Sequence, residues 1–191
     1  MSPEVIVVTK ARFLEIDIDR LSAIRTKAMG VLKGVPGTLS LTLWEKHSDP
    51  FAFAIIGHFE SEEGSIQAWD ALTRSPVMEI VTDLMSETPN SERFYVLEST
   101  GTSLDSLPVG SFGSISARIA DIGYGRKIAD ELSQIFEDLK LIPGFLGGLV
   151  GQHLEVSDEI LGLAYWSSVP SFEASLPKKS MYKIDLYQRV L

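Results

Sequence analysis

Val35-Pro36-Gly37-Thr38-Leu39 and, 107 residues further on, Ile142-Pro143-Gly144-Phe145-Leu146 decide how this chain is built. A shared Pro-Gly alone carries little. The same ungapped offset also pairs Leu21 with Ile128, Met29 with Phe136 and Leu32 with Leu139. It continues with Phe53 on Ile160, Ile56 on Leu163, His58 on Tyr165, Phe59 on Trp166 and Ser61 on Ser168. An apolar pattern that stays in phase from Leu21 to Ser61 marks an internal repeat. The 191-residue chain therefore divides into a first module over 1–100, a linker over 101–111 and a second module over 112–191.

Each copy reads alike. Val5 to Phe13 is β-branched and aromatic, and its counterpart from Ser114 to Ala120 alternates Ile115, Ala117 and Ile119. A helix follows in each: Leu21, Ile24, Ala28 and Leu32 in the first, with Asp17 or Asp19 as N-cap, and Ile128, Leu132, Ile135 and Leu139 in the second. Both helices stop at the Pro-Gly turn, since proline disfavours helix in the residue before it and glycine admits positive φ. Two strands come next, 39–43 and 51–59 in the first copy, 146–150 and 159–166 in the second, joined by polar loops.

The copies then diverge. The first carries helical sequence over 62–85, broken near Ser75-Pro76, and a closing strand from Phe94 to Glu98. The second compresses that helix into 171–177 and closes with Tyr182 to Leu191. A βαββαβ order puts both helices on one face of an antiparallel sheet. The run Phe51-Ala52-Phe53-Ala54-Ile55-Ile56 is apolar on both faces, so the other face needs a cover as well. The expectation is an α+β chain of two ferredoxin-like modules, each able to serve the other as partner sheet.

Composition narrows the function. A hydrophobic fraction of 45% with 23% charged residues fits a packed core. The absence of cysteine excludes disulfides, thiol catalysis and thiolate-bound metals. A net charge of −9 with scattered Lys and Arg argues against nucleic acid as a partner. No run reaches the roughly 18 apolar residues of a membrane span, and the opening Met-Ser-Pro-Glu-Val-Ile-Val-Val lacks a signal peptide's basic region, so the reading is cytoplasmic with no membrane partner. The glycines at 123, 125, 144, 147, 148 and 151 do not match a phosphate-binding loop, and no His/Asp/Glu cluster has metal-ligand spacing.

The order strand, helix ending in Pro-Gly, two strands, then an aromatic-x-Ser opening a helix (Phe59-Glu60-Ser61 and Trp166-Ser167-Ser168) resembles the antibiotic biosynthesis monooxygenase-like family of the dimeric α/β-barrel superfamily. The resemblance spans nearly the whole chain, twice. It implies an intramolecular dimeric α/β barrel, either a monomeric pseudo-dimer or a homodimer of it. It also implies a cofactor-independent monooxygenase, or a related cyclase or isomerase, on an aromatic or polyketide-like small molecule. Haem degraders of that family match at Trp69. They need a histidine where this chain has Glu79 and an asparagine where it has Thr9 or Lys10, so haem degradation is disfavoured.

Candidate catalytic residues are His58, near the end of a strand and suited to general-base chemistry, and Trp69. Arg74, one turn beyond Trp69, is a candidate to hold an anionic oxygen, and Trp44, Tyr165 and Trp166 are candidate pocket walls. His47 and His153 read as surface residues of the hairpins. The alternative is a non-catalytic binding or structural protein whose cavity is filled by side chains. The shortened helix of the second copy already reads that way, which places any activity in the first.

Overall fold

The computed structural model describes residues 2–15, 17–176 and 184–191. Among the described residues it is α+β, with five α-helices and eight strands, and it divides into two compact units, residues 1–93 with Leu191, and 94–190.

In the first unit β1 (Val5–Arg12), β3 (Asp49–Phe59) and β2 (Thr38–Lys46) lie in the order β1-β3-β2, all antiparallel. The hairpin between β2 and β3 is tight: Lys46 pairs with Asp49, leaving only His47 and Ser48 to turn. Helix α1 (Ile18–Leu32) buries Leu21, Ile24, Ala28 and Leu32, and Asp17 caps it by accepting from the amides of Asp19 and Arg20. The expected break at Ser75-Pro76 separates α2 (Glu62–Thr73) from α3 (Pro76–Leu84). Ser75 caps α3 and Pro76 opens it, where a missing N–H costs nothing.

Strand β4 (Asn90–Gly101) is longer than the sequence pattern indicates. Its first residues belong to the first unit, where Ser91 Oγ lies 2.8 Å from Thr9 Oγ1. From Phe94 onward it belongs to the second unit and pairs antiparallel with β6 (Phe145–His153). The rest of that sheet is β7 (Glu159–Trp166), β5 (Phe112–Ile119) and β8 (Asp185–Arg189), giving the order β8-β5-β7-β6-β4. Tyr182 and Pro177, expected in the closing strand and short helix, lie outside the described residues.

The repeat holds down to hydrogen-bond register. Val5 faces Phe59 as Phe112 faces Trp166, and both second strands carry a bulge at the same place, Thr38/Ser40 and Phe145/Gly147. Gly37 and Gly144 both take positive φ, 79° and 88°, ending α1 and α4 (Gly125–Leu139) alike. Ser61 caps α2, and Ser168 caps α5 (Val169–Ser175), each accepting from the amide three residues on. Among the described residues no helix is long and apolar enough to cross a membrane.

One cap differs. Where the first unit has Asp17, the second has Tyr124, whose side chain makes no cap bond. Asp158, from the β6–β7 loop, takes over and accepts from the amides of Gly123 and Gly125. The Gly123 bond, then the Gly125 bond, holds the Asp158 carboxyl below its ordinary 3.8. A carboxylate with a depressed folded pKa contributes stability above its unfolded pKa and loses it as pH falls through the folded value. Asp158→Ala therefore lowers Tm at neutral pH, and its deficit from the parent narrows once pH drops below about 3.9. Thermal melts of both proteins across that range check this; a deficit independent of pH contradicts it.

Candidate functional site

The first unit encloses a cavity of ≈ 170 Å³ between its sheet and its three helices. Strand alternation selects the floor: Val7 and Thr9 from β1, Leu41 and Leu43 from β2, and Ile55, Gly57 and Phe59 from β3. The roof comes from α1 through Ile24, Arg25 and Ala28, and from α2 through Ser65, Ala68, Trp69 and Leu72. Helix α3 adds Val77, Met78 and Val81. Most of this lining is apolar. Its few polar side chains are largely occupied: Ser65 donates to Glu62 O, and Thr42 Oγ1 donates to Ile56 O and accepts from Trp44 Nε1. Thr9 is paired with Ser91.

Of the residues that the sequence singles out, the cavity includes Trp69, which is 51% exposed and so stands at the rim. His58 is not in the lining. It neighbours Gly57 and Phe59 on β3, so the two-residue period turns it to the opposite face, where Nε2 lies 2.9 Å from Glu4 Oε2. Arg74 is the C-cap of α2; its side chain is 80% exposed and reaches Asp70 one turn back at 3.5 Å. Trp44 is fully buried, with its indole N–H on Thr42.

Tyr165 and Trp166 are buried in the second unit. Burial, with the charge of Asp105 adding to it, raises the Tyr165 hydroxyl far above its ordinary range, so it stays a phenol at neutral pH. Trp166 sits in an apolar cluster with its ring 5.1 Å from Phe145 and 6.0 Å from Phe172. His153 closes a turn, its Nδ1 accepting from the amides of Glu155 and Val156. Glu79 is exposed and outside the lining, while Thr9 is within it. Among the described residues no group of three or more His, Asp or Glu is disposed to hold a metal ion.

The repeat explains why the first unit holds this cavity while described side chains fill the matching layer of the second. Position 57 is glycine where 164 is alanine, and position 65 is serine where 172 is phenylalanine. Phe172, Phe136 and Trp166 fill the second unit's helix–sheet layer, packed with Phe145. Gly148 lets Phe136 lie flat on the strand, since a Cβ there would meet that ring at 2.8 Å. One functional candidate escapes the sequence pattern altogether: Arg25, whose repeat partner is Leu132. That pairing is the signal that marks it.

No protein-family model matches the sequence, and no curated protein matches it. Solved structures do match. A candidate monooxygenase from Fusobacterium nucleatum subsp. nucleatum superposes with a TM-score of 0.76 over 100% of this chain and 94% of its own, at 11% identity. An anthrone oxidase-like protein gives 0.71 over 100% and 92%, at 12% identity. A candidate chlorite dismutase gives 0.65 over 100% and 96%, at 13% identity. At such identities the likeness shows the fold: two ferredoxin-like modules in tandem, of the dimeric α/β-barrel class. The differing activities attached to these neighbours leave the chemistry to the site.

The chain has three tryptophans, and two of them, Trp44 and Trp166, are each only 1% exposed. Acrylamide quenching is therefore expected to act mainly on Trp69 and to vanish almost entirely in Trp69→Phe. Substantial quenching left in that variant would place Trp69 in the interior instead.

Proposed function

We propose that the first unit binds an aromatic or polyketide-like small molecule in its cavity and oxidises it as a cofactor-independent monooxygenase. The observation that carries this reading is the apolar cavity under α1, α2 and α3, with Trp69 at its rim. Its ≈ 170 Å³ lies below the roughly 300–1,000 Å³ of pockets for drug-sized ligands, so one or two fused rings fit within and the rest of a larger ligand extends past Trp69.

The lining contains no carboxylate, imidazole or amine among the described residues. The substrate must then be one that ionises readily, such as an anthrone or hydroquinone, with its proton passing to solvent. The chain's part is to bind, orient and exclude water around the anion. For a methylene that becomes a carbonyl, the substrate gives up four electrons to one O₂. One oxygen atom enters the product and the other leaves as water. The lack of a base equally favours a second reading, a small-molecule carrier with no turnover.

Oxygen uptake with anthrone in metal-free buffer separates the two. The oxygenase reading predicts uptake above autoxidation, with one O₂ consumed per quinone formed. Ser65→Phe, which imports the second unit's residue into the cavity, and Trp69→Phe should each lower kcat/KM by about tenfold or more, worth ~1.4 kcal/mol of transition-state binding. Uptake equal to autoxidation, together with saturable anthrone binding, leaves the carrier. Uptake insensitive to both substitutions removes the cavity from the chemistry.

A further inference from the structure

We infer that Arg25 makes this cavity selective for an aromatic ligand bearing an anionic oxygen, a carboxylate or an ionised phenol or enol. The inference rests on the reading of the cavity as a ligand site. Arg25 stands on α1 with Ile24 and Ala28 and lines the cavity with them. It is partly buried, and its Nε–H donates to Leu41 O at 3.0 Å, which ties the side chain to β2. That bond uses one of the five N–H groups of a guanidinium and leaves both terminal nitrogens. Among the described residues no carboxylate pairs with them. The first unit's other arginines do find carboxylates: Arg12 on Asp49, Arg20 on Glu15, Arg74 on Asp70 and Arg93 on Glu62.

A guanidinium that lines an apolar cavity, is held by its neck at Leu41 O and has no carboxylate at its head among the described residues presents its terminal N–H groups to whatever enters. The repeat shows that the scaffold does not need it: the matching position is Leu132, buried in the second unit's core on a helix of the same 15-residue length. The planar fork of the guanidinium suits two oxygens or one oxygen with two lone pairs. In a low-dielectric pocket such a contact favours the ionised ligand over its neutral isostere. For an acidic substrate this also promotes ionisation, so the residue that selects the ligand would supply what the missing base does not.

Isothermal titration calorimetry at neutral pH with 2-naphthoate and its neutral analogue 2-naphthamide tests this on the intact chain. The expected result is naphthoate binding at least about tenfold tighter than the amide. Arg25→Leu should lose that preference, weakening naphthoate at least about tenfold more than the amide; Arg25→Lys, which keeps charge without the fork, should fall between. Equal affinity of the two probes for the parent protein overturns the role of Arg25 and leaves the cavity reading standing. Failure of both probes to bind removes the cavity reading itself. An Arg25→Leu variant that weakens both probes alike shows that Arg25 acts through shape, and the inference fails. The comparison of probes on the parent protein holds even if a variant does not fold.

Discussion

Gly57 sits mid-strand in β3, opposite Val7 on β1 and Leu41 on β2, on the face that the helices cover. A Cβ there would meet the Phe59 ring at 2.7 Å, because that ring folds back along the strand over the glycine. The glycine makes room for that ring, and the space beside it is what remains where the roof is trimmed at Ser65 and Ala68. The second unit has the same strand register and fills the same layer, with Ala164 on the floor and Phe172 from the roof. A hydrophobic layer of this kind closes to native density unless small residues face each other. Two or three such choices separate a core from a site.

This arrangement costs the first unit packing energy. A vacancy lined by Leu, Ile and Val sacrifices dispersion contacts on every side that lacks a partner. Helix α3 offsets part of that by burying Val77 and Leu84 and by adding Val77, Met78 and Val81 to the cavity wall. The bridge between Phe13 and Met85, with the amide of Leu14 on Leu84 O, ties the end of α3 back to the sheet. In the second unit, Arg189 does a comparable structural task. It is buried, and its guanidinium donates to the carbonyls of Leu104 and Leu107, fastening the turn that precedes β5. The contrast with Arg25 is instructive: one arginine spends its fork on backbone, the other keeps it.

The architecture was legible because the repeat carries register. A single offset aligned both helix stops, both strand pairs after them and both aromatic-x-Ser helix starts, and each of those is a local event with its own residue signal. The site was less legible, for identifiable reasons. His58 was expected in the cavity, yet β3 is apolar on both faces, so alternation gave no clue to which face the helices would take. Arg74 was placed one turn beyond Trp69, but the helix ends there and Asp70 competes for the guanidinium at the favourable i, i+4 spacing. Arg25 lies at the edge of an otherwise regular apolar stripe, where an arginine normally reads as solvated. Only its pairing with Leu132 distinguishes it. The different length of the helix after the aromatic-x-Ser motif does point to the first copy as the one to carry any activity.

An aromatic ligand bound by the first unit would enter its helix–sheet layer. Met78 and Met85 both line that space, and an aromatic ring placed there shifts their methyl resonances through its ring current. Methyl-¹³C methionine NMR during titration with an anthrone-class ligand reads this directly. Saturable shifts at Met78 and Met85 with a common Kd are the predicted result. A ligand that binds with a measurable Kd while leaving both methyls unmoved would place its site elsewhere and contradict the account.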